Sequence, residues 1–273
     1  MAKVQLKTAE QIELLRESSL LVSKTLAEVA KFLQPGMKTI ELDIIAEDFI
    51  RSHNAIPAFK GYHGFTGTLC ISVNEEVVHG IPGNRIIQEG DIVSLDCGVL
   101  KNGFYGDSAY SFAMPGISDE NLKLMQVTLE SLKKGITFAA PGKRIGDISH
   151  AIQNYAESQG CSVVRELVGH GIGTSLHEAP EVPNYGRPGN GPLIKAGMVI
   201  CIEPMINLGK KEVATLPDGW TIVTKDRKMS AHFEHTVAVT EKGTDILSDF
   251  MIIEESIRNN KNIVEVALWQ NNH

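Results

Sequence analysis

The chain carries two copies of one pattern, offset by about 106 residues, a period too long for a solenoid and suited to a duplicated half-domain. Pro35-Gly36 matches Pro141-Gly142, Phe49 and Ser52 match Tyr155 and Ser158, and Pro82-Gly83-Asn84 matches Pro188-Gly189-Asn190. After one inserted residue, Ile86-Ile87, Gly90, Val93 and Asp96 match Leu193-Ile194, Gly197, Ile200 and Glu203. Each half thus delivers one carboxylate at the end of an apolar strand. His79-Gly80-Ile81 also recurs as His170-Gly171-Ile172, but at an offset of 91 that breaks the alignment, so that match is set aside.

Helical periodicity frames the repeats. From Thr8 to Leu33, apolar positions recur at steps of three and four, Thr8 and Gln11 have capping-box spacing, and Pro35-Gly36 stops the run. A second helix is predicted from about Thr39 to His53, a third from about Asp119 to Lys134 closed by Gly135, and a fourth from about Ile145 to Gln159 ending at Gly160. Two helices per half, each pair accompanied by strand-rich segments, predict a single α+β domain over residues 1–248 with internal pseudo-twofold symmetry. The half-repeats cover about 8–110 and 119–240, and residues 249–273 form a C-terminal tail with no functional reading.

At 273 residues, with 42% hydrophobic and 22% charged, the chain has globular proportions. No apolar run approaches the ~20 residues a membrane span needs, and Met1 to Thr8 lacks a signal-peptide core, so a cytoplasmic protein is expected. Cys70, Cys97, Cys161 and Cys201 are scattered singly, which favours reduced, buried thiols over disulfides or a thiolate zinc site. A net charge of −7 argues against specific nucleic-acid binding, which concentrates Lys and Arg on one face.

The chemistry gathers between Asp91 and Phe112, where two apolar, β-branched runs flank Asn102-Gly103, the favoured dipeptide of a type I′ hairpin turn. If Lys101 pairs with Phe104, Asp96 falls opposite Ala109 and Asp107 lies diagonal to Asp96 on the same face. Such a pair is compatible with a solvated hairpin face. The apolar surroundings of Asp96 and its match to Glu203 favour instead two like charges held by a cation.

Alternation over Met198 to Met205 puts Val199, Cys201 and Glu203 on one face, with Pro204 ending the ladder. Over Ser230 to Thr240 it puts His232, Glu234 and Thr236 on the polar face and His235 on the apolar one. Gly169-His170-Gly171-Ile172-Gly173 frees the backbone around an imidazole that must approach a ligand closely. Four carboxylates and one imidazole (Asp96, Asp107, His170, Glu203, Glu234) suit a binuclear site for Mn, Fe(II), Co or Zn, with cations ~3.5–4 Å apart activating a shared water.

These residues resemble the type I methionine aminopeptidases. The likeness runs from the first helix to about Ser248 through Gly61-Tyr62-His63-Gly64, Asn74-Glu75, His79-Gly80-Ile81-Pro82, the Asp96 and Asp107 pair, Gly169-His170-Gly171-Ile172-Gly173, Ile202-Glu203-Pro204-Met205, Asp218-Gly219-Trp220 and Glu234-His235-Thr236. The resemblance implies a pita-bread fold: two pseudo-symmetric halves with a curved, mostly antiparallel sheet covered by helices. It implies hydrolytic removal of the N-terminal methionine from nascent chains with a small second residue, near the ribosome exit, by a monomer.

By the same resemblance, Asp107 and Glu234 bridge two divalent ions, Asp96 chelates one, and His170 with Glu203 completes the other. A monovalent cation is a further ligand. Glu203 also handles the proton, and His79 and His177 hydrogen-bond the scissile peptide. The methionine pocket maps onto Tyr62, Phe65, Cys70, Leu176 and Trp220, with Phe65 and Leu176 departing from the commonest Tyr and Phe. His232 replaces a polar amide two residues before Glu234, where it either tunes the site or faces water. Two rivals share this pattern: peptidases that cleave X-Pro bonds, which carry a separate N-terminal domain, and non-catalytic binding proteins, which have lost metal ligands.

Overall fold

A computed structural model describes residues 4–266, so the end of the 249–273 tail lies outside the described residues. Helix α1 runs Ala9–Phe32 behind a capping box in which the Thr8 side chain and Gln11 satisfy each other's backbone N–H. Helix α2 runs Thr39–Ser52. The second pair is α3, Asp119–Ile136, and α4, Ile145–Ser158, the latter followed by Gly160 at φ +82.

One expected boundary is corrected. Gly135 does not close α3; it lies inside it, where an added Cβ would press on Ile152 and Ile148 of α4. The glycine permits close approach of two helices rather than a left-handed cap, and a sequence cannot distinguish those uses.

Each half supplies one main sheet. In the first, Ile92–Lys101 is flanked by Leu69–Val73 and Phe104–Ala113, and Ile56–Pro57 pairs at its end. In the second, the order is Gly243–Ile246, His235–Thr240, Val199–Ile202, Val168–Gly171, Glu178–Pro183, every neighbour antiparallel. Helix α1 packs across the first hairpin, while α3 and α4 pack on each other and on the second half's strands. A continuous apolar core joins both halves through residues such as Leu26, Leu95, Phe112, Leu132, Ile152, Ile200 and Val237. The architecture is α+β.

Residues 249–266 pack against the body of the fold. Helix α5, Phe250–Arg258, lies along α1, and Phe250, Ile253 and Ile257 enter the same core. Beyond it, the Asn260 amide donates to the carbonyls of Ala30 and Leu33 at 2.7 and 2.9 Å, satisfying acceptors that the end of α1 leaves open. No described helix is long and apolar enough to cross a membrane.

Candidate metal centre and substrate pocket

The hairpin Ile92–Lys101/Phe104–Ala113 has the register its turn dictates. Asn102 and Gly103 take φ of +51° and +80°, Lys101 faces Phe104 and Asp96 faces Ala109. Asp107 faces Gly98, so the two carboxylates share one face.

Glu234 reaches them across a seam of hydroxyls between the halves. Its N–H donates to Ala109 O at 2.9 Å, the Ser108 hydroxyl donates to Glu234 O at 2.6 Å, and the Thr236 hydroxyl donates to Asp107 O at 2.7 Å. His170 comes from the strand Val168–Gly171. There, a Cβ at Gly169 would collide with Cys201 O and one at Gly171 with Ala179 O, so glycine on both sides lets the neighbouring strands close around the imidazole. Glu203 follows the strand Val199–Ile202, its carbonyl accepting from the Asn184 amide at 3.0 Å.

These elements bring the five predicted ligands together. Atoms of Asp107, His170, Cys201 and Glu234 lie within 4.8 Å of one another. Asp96 joins the group through a side-chain contact with Asp107, and Glu203 through His170, whose Nε2 lies 3.6 Å from Glu203 Oε1 and 3.8 Å from Asp107 Oδ2.

The electrostatics call for a cation. Burial pushes the Asp96 carboxyl up to about 7, against the opposing pull of its hydrogen bond with Asp107. Burial and neighbouring carboxylates hold Asp107, Glu203 and Glu234 well above the usual range. Asp96 Oδ1, Asp107 Oδ1 and Glu234 Oε1 are buried without any hydrogen-bond partner, a costly arrangement for acceptors shut away from water.

The imidazole complements them. His170 Nδ1 is 3.0 Å from Gly171 O, which can only accept, so the proton sits on Nδ1 and the Nε2 lone pair faces the carboxylates. Burial lowers His170 to about 3, keeping the ring neutral as a ligand must be. The donor set, oxygen-rich with one nitrogen and with orphaned oxygens, fits divalent transition-metal ions.

Beside this cluster, Phe65, Cys70, Leu176, Tyr62 and Trp220 belong to one apolar cluster, with the Phe65 and Trp220 rings 5.1 Å apart, edge to face. His177 lies between this cluster and the ligands, Nδ1 2.7 Å from the Tyr62 hydroxyl and its ring 4.2 Å from that of His170. His79 takes a φ of +59°, a strained backbone for a non-glycine residue, and its ring lies 6.4 Å from Trp220; burial lowers it to about 4. His235 points away, stacked on Phe250 at 3.7 Å with Nδ1 2.7 Å from the Ser248 hydroxyl.

Two residues belong to the site more closely than sequence reasoning placed them. Cys201, read there as a filler, sits among the ligands; its position two residues before Glu203 on the same strand face was the available signal. His232 does not face water: it is 1% exposed, with Nε2 3.9 Å from Glu203 Oε2.

Comparison with known proteins identifies the family. Residues 13–241 match the model of metallopeptidase family M24. The methionine aminopeptidase 1 of Bacillus subtilis is 54% identical over 242 residues, covering 89% of this chain and 98% of that protein. The Escherichia coli K12 methionine aminopeptidase is 43% identical over 249 residues, covering 90% and 94%. The crystal structure of methionine aminopeptidase from Rickettsia prowazekii superposes with a TM-score of 0.89 at 40% identity, over 90% of this chain and 100% of that one. On fold, donor set and likeness together, the chain belongs to metallopeptidase family M24, on the branch of the methionine aminopeptidases.

Proposed function

We propose that the protein hydrolyses the N-terminal methionine from nascent proteins and peptides whose second residue is small, using two divalent cations held by Asp96, Asp107, His170, Glu203 and Glu234. In this reading Asp96, Asp107 and Glu234 would hold the ions from the first sheet and the seam between the halves, and His170 with Glu203 would hold them from the second half. Bound there, the cations supply Lewis acidity to the scissile carbonyl and lower the pKa of water. Co, Mn, Fe(II) and Zn all suit the donors.

The protein's own residues do the rest. Tyr62, Phe65, Cys70, Leu176 and Trp220 take the methionine side chain, a flexible thioether that adapts to an irregular apolar slot. Glu203, beside the ligand cluster, accepts a proton from water and returns it to the departing amine. His177 and His79 hold the peptide's oxygen and nitrogen. The Tyr62 hydroxyl engages His177 Nδ1 and thereby leaves Nε2 for the substrate. We place the enzyme in the cytoplasm, acting as a monomer on chains leaving the ribosome.

One observation carries the reading: buried carboxylate oxygens without partners lie with the lone pair of a neutral imidazole, close to a cluster of apolar side chains. Supplying Mn(II) or Co(II) and offering Met-Gly, Met-Lys and Ala-Pro peptides tests it. Rapid release is expected from Met-Gly alone. Preference for Ala-Pro would move the activity to proline peptidases, and inertness with every metal would make the protein a binding module.

A further inference from the structure

Among the described residues, His232 is the one histidine with a buried ring nitrogen that has no hydrogen-bond partner. Its Nε2 is inaccessible and makes no hydrogen bond. A histidine that merely filled the core would have that nitrogen satisfied or replaced by carbon, because an orphaned polar atom is costly. The nearest carboxylate is Glu203, and the geometry around it is two-sided: Oε1 lies 3.6 Å from His170 Nε2, and Oε2 lies 3.9 Å from His232 Nε2. Two imidazoles thus bracket one carboxylate, one at each oxygen.

Both backbones are clamped. His232 N–H donates to the Ser111 hydroxyl at 3.0 Å, and that hydroxyl donates to His232 O at 2.7 Å. With its proton so committed, Ser111 takes the hydroxyl of Ser94 as donor at 2.7 Å. Across the ladder His232 faces Met205, two residues beyond Glu203, while the Asn184 amide holds Glu203 O. Only side-chain torsions remain free, and closing the 3.9 Å gap to hydrogen-bond length needs about 1 Å of movement.

We infer that His232 is a positioning residue for Glu203: its Nε2–H donates to Glu203 Oε2, so that Glu203 presents a single free oxygen, Oε1, on the side of His170. The inference rests on the proposed role of Glu203 as ligand and proton carrier. A carboxylate with one oxygen committed cannot swing or chelate through both, so it reaches a cation and the substrate's proton in one fixed orientation. Partners of this kind, bonded to a ligand rather than to the ion, typically govern 10–100-fold in affinity or rate.

Two variants and one spectrum test the inference. His232→Leu fills the space without a donor, and His232→Gln restores an N–H. On a Met-Gly peptide with Mn(II), His232→Leu is expected to lose about 10–100-fold in kcat and to bind Mn(II) more weakly by calorimetry, with His232→Gln recovering most of both losses. Equal behaviour of the two variants, or native values in both, would overturn it. Ring-nitrogen NMR of the native protein loaded with Zn(II) needs no variant to fold: His232 is expected as the Nε2–H tautomer, and an unprotonated Nε2 would overturn the inference. A native protein that binds the metals but releases no methionine would strike the functional reading alone, because calorimetry and the spectrum still decide the contact.

Discussion

At the scale of single residues, Glu203 carries the sharpest expectation, because it is asked both to ligate and to move a proton. Glu203→Gln keeps the shape and one ligating oxygen but cannot take up the proton. Turnover should fall by about 10²–10⁴-fold on a Met-Gly peptide. The metal-free variant should melt no lower than the native protein, since one of several crowded acids is replaced by a neutral amide. Retained activity would remove Glu203 from the proton path, and a collapsed melting transition would show the residue to be structural.

Cys201 shows the opposite lesson at the same scale. Its thiol touches the Thr236 hydroxyl at 3.4 Å amid ionisable neighbours, and burial together with Glu234 and Asp107 raises it well above its ordinary value, so it stands there as a neutral group.

At the scale of elements, the seam between the halves sets the distance between Asp107 and Glu234. Thr236→Val deletes the donor to Asp107 O and leaves a buried carbonyl short of a partner. Urea unfolding should register a loss of about 1–3 kcal/mol. Mn(II) affinity should fall with it, because both flanking ligands lose their shared tether. A variant losing stability alone would show that the seam holds the fold without tuning the site.

The same elements explain what could be read beforehand. Asn102-Gly103 dictates its turn, and the turn dictates the register, so the diagonal placement of Asp96 and Asp107 on one face followed from local rules. The Thr8 and Gln11 box started α1 where expected. The candidate site was legible where alternation fixed a carboxylate's face; the expected strand-end position holds for Glu203, whereas Asp96 and Asp107 stand mid-strand because the hairpin runs on to its turn at Asn102-Gly103. The position of His232 behind Glu203 was not legible, because it arises only when strands 205–207 and 230–232 pair and Ser111 of the other half fixes them. The packing role of Gly135 was hidden likewise, since it depends on Ile152 of a different helix.

At the scale of the whole molecule, stability without metal should depend on pH in a specific sense. The site carboxyls have folded pKa values raised above their unfolded ones, so their contribution is present at low pH and lost as pH rises through the folded values. His170, His232 and His235 lie near 3 and His79 near 4 in the fold, which removes stability as pH falls below about 6.5. Between about pH 4 and 6.5 the two sets oppose each other; above that range only the carboxyls act. The metal-free melting temperature should therefore decline from about pH 6.5 to 8.5, and Mn(II) should abolish the decline. A flat metal-free profile would argue against a crowded acidic cluster.

The closing segment belongs to this scale as well. Asn260→Ala removes two bonds to the end of α1 and should cost about 1–3 kcal/mol in urea unfolding, with kcat for the Met-Gly peptide unchanged. An unaltered midpoint would make the contact incidental. Because helix α1 is finished by a side chain 230 residues downstream, it emerges with carbonyls and apolar surface waiting for residues not yet translated. The protein therefore seals helix α1 only after both halves of the fold have been made.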